Sequence, residues 1–165
     1  MKKAKNIILI GMPGAGKSSV GVVLAKKMGY RFVDSDIVIQ EKYDKLLYEL
    51  IEEYGIEGFW QIENDVNARM EYNRTVIATG GSAIYGKEAM EHFREIGEVI
   101  YLSLSYEEVV NRLGDLNARG VTLREGQTLE SLYEERIPYY EAYAHRTIDC
   151  NQKGLREIVL SIASL

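Results

Sequence analysis

The chain has 165 residues, 46% of them apolar and 27% charged, with a net charge of −5. That is the size and balance of one globular domain with a substantial core. No apolar run approaches the roughly 20 residues that span a bilayer, and the acidic balance argues against a nucleic-acid partner, which needs clustered Lys and Arg.

The chain opens MKKAKNIILIG, basic and then apolar. Its apolar run stops at Gly11, short of the roughly 7–15 residues of a secretory leader's apolar core, so a cytoplasmic protein is expected. Asn6–Ile10 (NIILI) is a continuous apolar run, the mark of a strand buried on both faces. Lys17–Met28 follows as a helix, with Val20, Val23, Leu24 and Lys27 at helical spacing and Gly29 as its stop. A second strand is expected over 30–33, then helices from Asp36 to about Met70 with a break near Gly55. Residues 75–79 (TVIAT) are a third strand, followed by Gly80-Gly81. Lys87–Ile96 is a helix, 99–104 a fourth strand and Tyr106–Leu113 a further helix. Residues 114–127 are polar and glycine-bearing without a period, the composition of a mobile loop. Leu129–Tyr143 is a helix carrying Pro138, 147–150 a fifth strand and 155–162 a last helix. Cys150, the single cysteine, excludes an internal disulfide and a cysteine zinc cage; a small buried residue near a strand end is expected. His92 and His145 have no metal-ligand spacing and no role.

Strands alternating with helices predict βαβ units and a mostly parallel sheet. Without repeat or linker, residues 1–165 form one three-layer α/β domain. Ligands of such sheets bind beyond the carboxyl ends of the strands, which directs attention to the residues after Ile10, Val33, Thr79 and Leu104.

After the first strand comes Gly11-Met12-Pro13-Gly14-Ala15-Gly16-Lys17-Ser18, the pattern G-x-x-x-x-G-K-S. Its glycines let backbone N–H groups turn inward as an anion nest, and the following helix adds its N-terminal dipole. Lys17 brings a positive charge to the β- and γ-phosphates, and the Ser18 hydroxyl is a Mg²⁺ ligand. Gly11, Gly14, Ala15, Gly16, Lys17, Ser18 and Ser19 are therefore the expected ATP-binding set. The second strand ends in Val33-Asp34-Ser35-Asp36. One of these carboxylates can hold Mg²⁺ or its waters, and the other can take the proton of an attacking hydroxyl. The competing reading of Asp36 is a cap for a helix beginning at Ile37.

At this point the chain resembles the shikimate kinases, a family of P-loop kinases with a five-stranded parallel sheet flanked by helices. The resemblance runs almost end to end. It rests on the loop 11–18, Asp34-Ser35-Asp36, Gly58-Phe59-Trp60-Gln61-Ile62-Glu63, Thr79-Gly80-Gly81-Ser82, an arginine-bearing lid over about 114–127, and Glu135-Arg136-Ile137-Pro138-Tyr139-Tyr140. It implies an ATP- and Mg²⁺-dependent transfer to a hydroxyl of a small polyhydroxylated acceptor, shikimate first, with acceptor-binding helices over about 36–71. By resemblance Asp34 joins Ser18 on the metal side, and Asp36 is the base and an acceptor ligand. Gly80 and Gly81 line the acceptor pocket, with Ser82 in place of a third glycine. Arg112 matches an arginine near the adenine, and Arg119 the lid arginine over the phosphates. Lys17, Asp36 and Arg119 are the expected catalytic groups. Gly120 stands where the family usually has proline, so the lid is expected to be looser. Arg136 matches the arginine that grips the acceptor carboxylate. A related kinase with a less anionic acceptor and a non-catalytic ATP-binding module are the alternatives.

The residues bear on these expectations separately. Arg136 has Leu132, Tyr133, Tyr139 and Tyr140 at i±3 and i±4, so no helical ion pair explains it. Arg112 has Glu108 at i−4, and a surface pair is an equal explanation. Trp60 stands where the family has a second arginine for the acceptor carboxylate. It lies about 100° from Phe59 around the helix, off the stripe Phe59, Ile62, Val66, Met70, where partial packing competes with lining the pocket. A lost charged hydrogen bond of about 1.5–3 kcal/mol weakens shikimate binding by roughly one to two decades, unless the acceptor differs or Arg69 or Arg124 compensates. Oligomeric state is not legible.

Overall fold

The computed structural model describes residues 5–114 and 123–164. Five strands, β1 (Asn6–Ile10), β2 (Arg31–Asp34), β3 (Thr75–Ala78), β4 (Gly97–Ser103) and β5 (Arg146–Asp149), form one sheet in the order β2-β3-β1-β4-β5. Every pair is parallel. Helices α1 (Lys17–Met28), α2 (Ser35–Tyr43), α3 (Leu47–Ala68), α4 (Lys87–Ile96), α5 (Tyr106–Leu113), α6 (Leu129–Tyr143) and α7 (Leu155–Ala163) flank it. The expected three-layer α/β architecture is the one observed.

The central strand explains itself. All five residues of β1 are buried, and Ile8 pairs with Ile77 on one side and Val99 on the other. Asn6 is the polar exception. Its amide nitrogen donates to the Tyr72 carbonyl (2.7 Å) and the Ile96 carbonyl (3.1 Å), and its oxygen accepts from the Thr75 N–H (3.1 Å). One buried side chain thus ties the entries of β1, β3 and β4 together.

Several bounds shift from the sequence reading. Strand β2 starts and ends one residue later than expected, at Arg31 and Asp34. Strand β3 stops at Ala78, and β4 begins at Gly97, where the backbone is already extended. Helix α1 buries Val20, Gly21, Leu24 and Ala25 rather than Val23 and Lys27; Gly21 faces Phe32, whose ring would lie 2.6 Å from a Cβ there. The break at Gly55 is present, with φ 76° and ψ 173° inside α3. A second interruption separates α2 from α3 at Asp44, which adopts a left-handed conformation (φ 51°); asparagine and aspartate tolerate that region. The region 114–127 falls partly outside the described residues.

His92 meets the Met70 carbonyl, and His145 Nδ1 accepts from the Val99 N–H; both are structural. Cys150 is fully buried, and burial pushes its thiol up to about 11. Among the described residues, no helix is long and apolar enough to cross a membrane.

Candidate active site

The loop after β1 is built as its sequence predicts. Gly11, Gly14 and Gly16 all have positive φ, and Gly16 (φ 87°) caps α1 from the left-handed region, where a side chain would be strained. The Lys17 ammonium is buried under the loop and donates to the Gly11 and Met12 carbonyls (2.6 and 2.9 Å). Burial lowers its pKa to about 8, against the pull of Asp36. Ser19 is exposed on α1. Arg112 divides its guanidinium between Glu108 (3.4 Å) and the Gly14 carbonyl (3.3 Å). The surface-pair explanation and the position beside the loop therefore both hold.

The tip of β2 separates two aspartates. Asp34 Oδ1 accepts from the Asp36 N–H (2.9 Å) and caps α2, and its Oδ2 accepts from the Ser18 hydroxyl (3.1 Å). The capping role considered for Asp36 thus belongs to Asp34, because the helix starts at Ser35 and not Ile37. Asp36 sits inside the first turn, its carboxyl without a hydrogen-bond partner among the described residues. Burial, with Asp34 beside it, raises its pKa to about 6.

Beyond Asp36 opens a cleft of about 290 Å³ that reaches from Pro13 to Arg136. Asp36, Trp60, Gly80, Gly81, Ser82 and Arg136, the expected acceptor residues, all line it. Arg136 is buried from α6, at 5% exposure, and pairs with no carboxylate among the described residues. Its Nε has no hydrogen-bond partner there. It lies 5.5 Å from the Tyr85 ring centroid, and its Nη1 would be 2.9 Å from a Cβ on Gly81. Gly81 is glycine because the guanidinium and Pro13 close on it. Tyr140 holds that turn by donating to the Gly81 carbonyl (2.7 Å).

Trp60 is half-buried, and its ring does two things. It lines the cleft, and it stacks on Tyr85 at 4.1 Å with 22° between planes. The Arg124 guanidinium lies 5.5 Å from the Trp60 centroid, and its Nη2 donates to both Glu135 oxygens at 2.6 and 2.8 Å. Glu135 also accepts from the Tyr85 hydroxyl (2.9 Å) and Gln127 (3.1 Å). Arg124 thus contacts Trp60 while its Nη2 is held by Glu135. Arg69 sits at the carboxyl end of α3 and does not line the cleft. Arg119 and Gly120 lie outside the described residues.

Sequence reasoning passed over Glu63. It is 2% exposed, lines the cleft and accepts from the Ser82 hydroxyl at 2.6 Å. Glu63 and Asn64, polar residues of α3 beyond Trp60, are both buried. Asn64 donates to Glu88 and accepts from the Ala89 N–H. Tyr85, Glu135 and Tyr140 also went unassigned, since only the fold brings Tyr85 onto Trp60, Glu135 onto Tyr85 and Tyr140 onto Gly81.

A glycine-lined anion loop, a buried lysine, a strand-tip hydroxyl–carboxylate pair and an adjoining cleft with a free carboxyl define a P-loop phosphotransferase with an alcohol acceptor. Residues 13–165 match the shikimate kinase family. The shikimate kinase of Francisella tularensis subsp. novicida is 34% identical over 168 residues, covering 99% of this chain and 96% of that one. The Clostridium botulinum enzyme is 32% identical over 160 residues, with 96% and 95% covered. A structure titled shikimate kinase from Acinetobacter baumannii in complex with shikimate superposes with a TM-score of 0.88 at 34% identity, covering 98% of this chain and 92% of that one. The chain belongs to the shikimate kinase family.

Proposed function

We propose that this protein transfers the γ-phosphoryl group of ATP to a hydroxyl of shikimate, with Asp36 as base and Arg136 as the anchor of the acceptor carboxylate. The observation that carries this reading is Arg136. A buried guanidinium without a carboxylate partner among the described residues, facing a cleft that also holds a free aspartate, suits an anionic polyol.

The loop N–H groups and Lys17 cradle the phosphates. Lys17 is already desolvated, so it stabilises charge in the transition state with little rearrangement. Ser18 and Asp34 suit Mg²⁺: a hydroxyl and a carboxylate oxygen already in contact at 3.1 Å are hard oxygen donors at the phosphate end of the loop. When bound, Mg²⁺ would neutralise charge between the β- and γ-phosphates. Asp36 accepts the proton as the acceptor oxygen bonds to the γ-phosphorus and the bond to ADP breaks. Its pKa of about 6 keeps it mostly ionised near neutrality and basic enough to take that proton. Arg119 is proposed as the cation over the phosphates, and the region 114–127 as the lid.

Coupled ADP release tests the reading. Turnover with shikimate, and little with a polyol lacking a carboxylate, is expected. Turnover with a neutral polyol alone would move the assignment to a kinase with a less anionic acceptor. No turnover across a broad panel would leave an ATP-binding module.

A further inference from the structure

Two departures from the family pattern meet on one side chain. Trp60 stands one helical turn before Glu63, where the resemblance implies an arginine, and Ser82, where it implies a glycine, donates to Glu63 Oε1 at 2.6 Å. The second oxygen, Oε2, is buried with no hydrogen-bond partner among the described residues. It stands 2.9 Å from the point where a Cβ on Gly80 would sit, and Asp36 Oδ1 stands 2.8 Å from the same point. Glu63 and Asp36 therefore both close on Gly80 at the wall of the acceptor cleft. The charged groups that face it are Asp36 from α2, Arg136 from α6 and Lys17 from α1.

We infer that Glu63 determines the specificity of the acceptor site through its charge. As a neutral carboxyl it leaves Arg136 free to grip an anionic acceptor. As a carboxylate it competes with that acceptor for Arg136. Trp60 is the substitution that leaves it neutral.

The physical reasons lie in the neighbours. An arginine at position 60 would stand at i−3 from Glu63 and hold it ionised. Tryptophan offers no cation, and no donor among the described residues reaches Oε2. Burial pushes Glu63 up to about 7, against the Ser82 hydrogen bond and with Asp36 adding repulsion. The charge balance follows directly. Two arginines with one carboxylate carry the same net charge toward the acceptor as one arginine with a neutral carboxyl. The site loses a hydrogen-bonding fork without losing its net attraction for an anion.

The inference rests on the acceptor reading above, and the experiment separates the two. With the full chain and saturating MgATP, the KM for shikimate is measured from pH 6 to pH 8. It should rise about tenfold as Glu63 ionises. Glu63→Gln keeps an oxygen for Ser82 and carries no charge, so its shikimate KM should not rise between pH 7 and pH 8, above the range in which Asp36 titrates. Trp60→Arg should flatten the profile as well, with a lower KM. An acceptor with an alcohol in place of the carboxylate should show no rise even with the unaltered protein. A flat wild-type profile, or a rise that persists in Glu63→Gln, overturns the inference. Should that variant fold poorly, shikimate titrations of wild-type Trp60 fluorescence at pH 6 and pH 8 read the same tenfold difference, and equal affinities overturn it. No turnover or binding of shikimate at any pH overturns the acceptor assignment instead.

Discussion

Arg136→Met separates what the fold needs from what the ligand needs. The guanidinium is 5% exposed and has no carboxylate partner among the described residues. Burying an unpaired ion costs several kcal/mol. The aromatic contact with Tyr85 at 5.5 Å returns about 0.5–2 kcal/mol. The balance is unfavourable to the unliganded protein, so methionine should stabilise it by about 1–2 kcal/mol, a rise in Tm of about 2–8 °C for a chain of this size. Binding should move the other way. Two charged hydrogen bonds at about 1.5–3 kcal/mol each are lost, which raises the shikimate KM by about 10²–10⁴-fold. Thermal unfolding with and without shikimate, beside coupled ADP release, reads both. Wild type should gain stability from shikimate by mass action and the variant should not. A variant less stable than wild type without ligand would show that the fold depends on this cation, and the ligand-anchor argument would fail.

Four further outcomes follow from the geometry. Asp36→Asn should reduce kcat by about 10²–10⁴-fold while ATP still binds in equilibrium dialysis; near-normal turnover would remove Asp36 as base. Gly81→Ala places a Cβ 2.9 Å from both Arg136 Nη1 and Pro13 Cδ, so the shikimate KM should rise at least about tenfold, and an unchanged KM would detach Arg136 from the acceptor. Glu63 ionises near 7 in the fold against 4.5 in the open chain, so its contribution is complete below pH 4.5 and is lost as pH rises through 7. That loss amounts to about 3 kcal/mol, with Asp36 adding the same sign at lower pH. Urea unfolding at pH 5 and pH 8 should show it, and Glu63→Gln should remove the Glu63 share. Arg124→Ala should change the emission of Trp60 with little effect on stability, because the Arg124–Glu135 pair is largely exposed; unchanged emission would refute the contact.

The parts of this molecule visible in the sequence are those set by local rules. The bounds of α4, α5 and α6 follow from hydrophobic spacing and caps, as at Ser105 and Thr128. The loop 11–18 is legible because a phosphate nest needs glycines at fixed positions. Asp36 could be singled out, but not freed from a capping role, since the start of α2 depends on where β2 ends. Glu63 was hidden for another reason. On a helix a glutamate among polar neighbours looks solvated, and only packing against β3's exit loop and the turn at Ala83–Tyr85 buries it. The partners of Trp60 come from sequence separations of 25 residues or more, to Tyr85 and Arg124, which no local pattern carries.

The Ser82–Glu63 contact also constrains how this sequence can change. Restoring arginine at position 60 would draw the Glu63 carboxylate toward a new cation, while Ser82 already holds one of its oxygens. A glycine at position 82 alone would strip Glu63 of the one hydrogen bond it makes among the described residues. Each reversal made singly thus meets a neighbour fitted to the other state. The effect of a substitution at position 60, 63 or 82 therefore depends on which residues already occupy the other two.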